Sequence, residues 1–178
     1  AVSAGVTSVT LTNTFLMALV RSHFPELKLK ASVILECDTV VKIRKYLDMG
    51  CEIINLAFDK NRDFNFLRGV PEELRPNIEL LASDPCLFNC PYRMYHYNQM
   101  GHASRHAGVG EPPEPVPWYK MYYPILCCSA IRCESPAEWI KSRWIRPEDM
   151  GIYADLGYSR FKIGDRNADT VKLSRIAK

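Results

Sequence analysis

Short apolar runs alternate along this chain with longer stretches in which apolar side chains recur every third or fourth residue. Residues 9–11 read as the end of a strand. Asn13 then stands ready to cap a helix over residues 14–23, whose apolar face carries Phe15, Leu16, Leu19 and Val20. Pro25 stops that helix. Residues 29–36 read as the next strand, Asp38 or Thr39 as the cap of a helix over 40–48, and Gly50 as its C-terminal cap.

The cycle repeats with a strand over 52–57, a short helix within 62–74 broken near Pro71, and a strand over 77–83. The helix due next is replaced by a cysteine-bearing run and a polar segment, residues 101–118, which is rich in His, Gly and Pro and reads as an irregular insert. Residues 124–131 read as a further strand and 136–141 as helical. Residues 147–156 form a helix that opens on Pro147 and ends at Gly157, and 160–163 are the last strand. Alternation at this spacing predicts right-handed βαβ units and a parallel sheet.

The fold class expected is α/β, a parallel βα barrel of the TIM type, with about six units where a closed barrel has eight in about 250 residues. The 178 residues are expected to form one domain, the later part of such a barrel. A smaller open α/β sheet is the alternative.

Composition narrows the class without naming a function. Apolar residues make up 47% and charged residues 24%, the proportions of a folded domain. A net charge of +3 lacks the concentrated basic face of a dedicated nucleic-acid binder. No apolar run approaches the roughly 20 residues of a membrane span, and no secretory signal is visible, so a cytoplasmic protein is expected. Seven cysteines in a reducing compartment favour metal binding over paired disulfides.

The cysteines are grouped. Cys86 and Cys90 lie in Asp84-Pro85-Cys86-Leu87-Phe88-Asn89-Cys90-Pro91-Tyr92-Arg93, and Cys127, Cys128 and Cys133 form a second group. Two thiolates three residues apart can bend onto one centre, and the second group can complete a four-thiolate site for zinc or an iron–sulfur cluster. In parallel α/β folds ligands bind beyond the carboxyl ends of the strands. That rule puts Cys86, Cys90, Cys128, Cys133 and, as a fallback ligand, Cys37 on the functional face. Cys51 opens a strand and reads as a buried small hydrophobe. If residues 124–131 are a strand, Cys127 and Cys128 point to opposite sides, and Cys128 is preferred as the ligand.

Around this group, His96 and His102 are candidate proton carriers, each equally readable as an ordinary satisfied histidine. His106 lies in the insert and carries no assignment, and His23 sits at a helix end where it favours the helix dipole. Arg93, Arg132, Lys162 and Arg166 could bind an anion. Glu79, alternating with Ile78 and Leu80, needs a partner, for which Lys162 is the candidate. Asn61-Arg62-Asp63 adds polar groups on the same face, and all of these are equally readable as an ion-pair network that fixes the barrel.

The run Cys86 to Asn98 with Gly101-His102-Ala103-Ser104 resembles the signature of the U-thirty-two peptidase family, also called collagenase-like. Supporting stretches are Ile54-Asn55-Leu56, Asn61-Arg62-Asp63-Phe64, Trp144-Ile145-Arg146-Pro147-Glu148-Asp149 and Phe161-Lys162-Ile163. The resemblance implies a TIM-like barrel, lacking its first strands here, that carries a four-cysteine [4Fe–4S] cluster. The implied ligands are Cys86, Cys90, Cys128 and Cys133, with zinc the alternative metal. It also implies oxygen-independent hydroxylation or a related modification of RNA bases or a quinone precursor, with His96, Arg93 and Lys162 expected around that small-molecule or RNA substrate. A partner subunit of the same family is a further expectation. Two other readings stand beside it: a peptidase, as the family name says, and a non-enzymatic binding domain stapled by its metal.

Overall fold

The computed structural model describes residues 2–84, 86–105, 118–164 and 169–177, with side chains throughout except at 2, 102–105, 118–122 and 176. Their elements are β1 (Ser8–Leu11), α1 (Thr14–His23), β2 (Lys28–Ala31), α2 (Val40–Asp48), β3 (Cys51–Asn55), α3 (Phe64–Gly69), β4 (Ile78–Leu81), α4 (Arg93–Arg105), α5 (Trp118–Glu134), α6 (Ala137–Lys141), α7 (Met150–Asp155), β5 (Arg160–Lys162) and α8 (Thr170–Ile176). They fall into two compact units. One comprises residues 1–84 and 143–178 and holds every described strand; the other comprises residues 85–142 and holds α4, α5 and α6.

In the first unit the strands form one parallel sheet in the order β1-β2-β3-β4-β5. Leu29, Ala31, Ile54, Ile78 and Leu80 are fully buried from it against Met17 of α1, Ile43 of α2 and Leu67 of α3. Each such Leu or Ile contributes about 1.5–3 kcal/mol by leaving water. Local signals place the helices. Asn13 Oδ1 accepts from Leu16 N at 3.1 Å, Thr39 Oγ1 from Lys42 N at 3.2 Å, and Asp63 Oδ1 from Phe66 N at 3.1 Å, each closing a first turn.

Gly50 occupies a position whose backbone favours glycine. Its φ is +86°, and a Cβ there would meet Arg21 Nε at 2.7 Å. That guanidinium donates to the Gly50 carbonyl through Nη2 at 2.7 Å, clamping the start of β3 onto α1.

The parallel α/β architecture expected from the sequence is present, with two corrections. Five strands are described, not six, and β1 and β5 each pair on one side only, so the described strands form an open sheet. The strand expected over 124–131 is instead the centre of the 17-residue helix α5. A short apolar run bounded by polar residues reads equally as a buried strand or as part of a helix. Here the helix extends beyond the run on both sides and accommodates Pro124 in its interior. The second correction concerns the insert expected over 101–118. Residues 101–105 are the last turn of α4 and Trp118 is the first residue of α5, while residues 106–117 lie outside those described. α4 is itself the helix that the sequence reading replaced with a loop.

Candidate metal centre

All five cysteines outside the sheet core belong to the unit of residues 85–142. The other two are core groups. Cys37 is fully buried, its backbone bridging to Leu56 to extend the β2–β3 pairing, and burial pushes its thiol up to about 12. The fallback ligand is thus a core thiol of the sheet unit, outside the unit that holds Cys86 and Cys90. Cys51 is buried at the start of β3 with Sγ 3.8 Å from Met17 Sδ, and burial raises its pKa too. It is the small hydrophobe its position at a strand start predicts.

The loop carrying Cys86 and Cys90 is tied down by its own unit. Ser142, fully buried, donates from Oγ to the Cys86 carbonyl at 2.7 Å. Arg93, 6% exposed, donates from Nη2 to the Leu87 carbonyl at 2.8 Å, and its backbone N–H to the Cys90 carbonyl at 3.3 Å. Between them Asn89 adopts φ +49°, a left-handed conformation that Asn reaches more easily than most residues. The loop's shape thus rests on the first residue of α4 and on the residue after α6. Both thiols are half-buried and neither is in a disulfide. Arg93, expected beside a substrate, is placed as a brace for this loop. His96, one turn into α4, is half-buried and stacks on the Tyr97 ring at 6.5 Å between centroids.

Cys127, Cys128 and Cys133 all lie on α5, so the strand argument that set Cys127 and Cys128 on opposite sides no longer applies. On a helix the two are about 100° apart, and Cys128 and Cys133 about 140° apart. The Cys128 thiol donates to the Ile125 carbonyl at 3.2 Å, and Cys133 is exposed near the helix end. The Tyr123 hydroxyl donates to the Cys127 sulfur, which raises the tyrosine's pKa; the charges of Cys127 and Tyr92 add to the effect. α4 packs against α5, and α5 against α6. The donor chemistry of these thiols suits zinc or an iron–sulfur cluster. Among the described residues, however, no three His, Cys, Asp or Glu side chains converge closely enough to hold a metal ion.

The remaining candidates divide by location. The side chain of His102 lies outside those described, as do His106 and Arg166 altogether. His23 Nδ1 donates to the Leu19 carbonyl at 2.9 Å, as befits a helix end. Arg132 lies over the Trp139 ring at 4.7 Å. Glu79 does not pair with Lys162. Its carboxylate accepts from Lys30 Nζ at 3.2 Å and from Asn55 Nδ2 at 3.0 Å. The register explains this: Lys162 aligns with Leu81, two residues past Glu79, and Arg160, which does align with Glu79, donates to the Pro76 carbonyl at 2.8 Å. Lys162 is half-buried in β5, with its carbonyl accepting from Ala82 N at 2.9 Å.

Asn61-Arg62-Asp63 builds the turn after β3. Buried Asn61 donates to the Leu81 carbonyl at 2.6 Å and accepts at its own carbonyl from Tyr153 Oη at 2.8 Å. The Lys60 ammonium, 2.8 Å from Asp63, with the Phe66 N–H, holds that carboxyl below the usual range. The sequence reading did not single out Ser142, which acts on Cys86 from 56 residues away and carries no local motif.

No family model matches the chain. It is 29% identical over 163 residues to a protein of Methanocaldococcus jannaschii described as an uncharacterized protease, MJ1657; the match covers 92% of this chain and 46% of that protein. The structure superposes on the U32 peptidase Mk0906 with a TM-score of 0.53 and 17% identity, over 69% of this chain and 47% of the other. The chain therefore spans about half the length of each protein it matches. The likeness to the solved peptidase concerns the fold. The chain is similar in fold to a U32 peptidase and in sequence to a protein described as a protease, in agreement with the resemblance carried by the cysteine run.

Proposed function

We propose that this chain is the cluster-carrying part of an iron–sulfur enzyme, with Cys86, Cys90, Cys128 and Cys133 as ligands of a [4Fe–4S] group. The observation that supports this reading is the partition of the thiols. The two cysteines that cannot readily ionise are sealed in the sheet core, and the five that can be reached share one helical unit. A protein using cysteine merely as a small apolar residue would not sort it in this way. The loop of Cys86 and Cys90 is braced by Arg93 and Ser142, which is what a ligand loop needs to hold two sulfurs in a fixed relation. Cys128, the ligand that the resemblance implies, is retained over Cys127.

In this reading the chain's own residues position and protect. Arg93 fixes the loop, and His96 is the nearest described histidine along the chain to hold or move a proton. A cluster bound there supplies one-electron chemistry. The reaction class we assign is oxygen-independent hydroxylation or a related modification of a small molecule or an RNA base. Anaerobic reconstitution tests the metal. The expected result is about four irons per chain with broad absorbance near about 400 nm. Stoichiometric zinc with no iron contradicts it. Turnover of a peptide library that persists after iron removal would replace the reaction class with peptide hydrolysis.

A further inference from the structure

A cavity of about 640 Å³ opens beside the carboxyl ends of β4 and β5. All of its lining belongs to the sheet unit, and none of it is a cysteine. Its volume is in the range of small-molecule sites, about 300–1,000 Å³, and its position is where ligands of parallel sheets bind. Two stretches that carried the family resemblance, 144–149 and 161–163, converge here without a role in the metal centre. They contribute Trp144, Pro147, Phe161 and Ile163, while Met150 and Arg175 come from α7 and α8. Two aromatic rings and a polarisable thioether make flat apolar walls suited to a ring. The wall after β5 is held in place by Ser83, whose Oγ accepts from Gly164 N at 2.7 Å.

One group in the lining is charged. Arg175 has no ion-pair or hydrogen-bond partner among the described residues. Its planar fork matches a carboxylate, and a single cation balances one negative charge and leaves the second charge of a phosphate uncompensated. We propose that this cavity binds a small aromatic carboxylate, its ring between Trp144 and Phe161 and its carboxylate on Arg175.

Calorimetric titration of the full chain with 2-naphthoate, 2-naphthyl phosphate and the neutral 2-naphthalenemethanol tests this. Naphthoate should bind about ten-fold more tightly than the alcohol, the effect of one charge-assisted hydrogen bond in a half-open site, and more tightly than the phosphate. Arg175→Gln should abolish the preference over the alcohol and leave the alcohol's own affinity unchanged. Ile163→Glu, which sets a carboxylate at the rim of the cavity, should weaken naphthoate far more than the alcohol. Circular dichroism of both variants should match the parent. Equal affinities for acid and alcohol, a preference that survives Arg175→Gln, indifference to Ile163→Glu, tighter binding of the phosphate, or no saturable binding would each overturn the assignment.

Discussion

Raising the pH should unfold the sheet unit in a window that its buried acids define. Tyr153 and Tyr158 are fully buried, and burial is the leading cause that pushes each hydroxyl from 10.0 up to about 12. The Cys37 thiol rises from 9.0 to about 12 for the same reason. In all three the folded pKa lies above the unfolded one. The stabilisation is therefore complete below the unfolded value and is lost as pH climbs towards the folded one. For Cys37 the window is pH 9 to about 12, and for the two tyrosines pH 10 to about 12. At about 1.4 kcal/mol per pH unit, the thiol forfeits up to about 4 kcal/mol and each tyrosine up to about 3 kcal/mol across its window. Together these approach the whole stability of an ordinary domain, about 5–15 kcal/mol. Urea titrations followed by circular dichroism at intervals from pH 8 to 11.5, with tyrosinate absorbance recorded in parallel, check this. Stability should begin to fall near pH 9, and Cys37→Ala should make the fall between pH 9 and 10 shallower, leaving the part that buried Cys51 contributes. Part of the absorbance of the nine tyrosines should appear only with unfolding. If all nine titrate together near pH 10 while the circular dichroism is unchanged, the hydroxyls are not buried and the packing described for Tyr153 and Tyr158 is wrong.

Other perturbations address single contacts. Tyr153→Phe leaves the buried Asn61 carbonyl without its 2.8 Å donor and should cost about 1–2 kcal/mol in urea unfolding at pH 7; an unchanged midpoint would remove that bond from the account. Ser142→Ala frees the Cys86 carbonyl from its 2.7 Å donor and should speed maleimide labelling of Cys86 up to about five-fold, the equivalent of about 1 kcal/mol, while exposed Cys133 reacts as before. Equal acceleration at both cysteines would mean general loosening of the unit. The lowered pKa of Asp63 gives the opposite sign to the alkaline case: its contribution is present above the unfolded carboxyl value and is lost as pH falls through the folded one. Asp63→Asn should therefore flatten the acid limb of the stability profile and leave the alkaline limb unaltered, as paired urea titrations at pH 3 to 5 would show.

The helices and strands of the sheet unit were legible where the signal is local. Asn13 and Thr39 announce α1 and α2 through side chains that close a turn within three residues, and Cys51 could be placed in the core because it opens a strand. Residues 124–131 were misread because eight mostly apolar residues fit a strand as well as a helix, and the evidence for α5 lies in the residues on either side. Helix α8 was missed although Asp169 caps it, its Oδ1 accepting from Lys172 N at 2.7 Å. Cys37 looked available from its position past a strand end; its isolated bridge to Leu56, which carries it into the core, depends on a residue 19 positions away. The partner of Glu79 was beyond reach for a similar reason, since strand register decides which cation comes alongside, and sequence does not show register. For the candidate site, the residue types and their grouping were readable, whereas the bracing of the loop by Arg93 and Ser142 is tertiary.

Cysteine alkylation measured residue by residue on the native chain, with and without anaerobically loaded iron, tests the proposed centre most directly. Cys86, Cys90, Cys128 and Cys133 should be alkylated in the iron-free chain and protected in the loaded one. Cys127 should react in both forms, and buried Cys37 and Cys51 in neither. Labelling that is the same with and without iron, or protection that falls on Cys127 in place of Cys128, would contradict the ligand set proposed here.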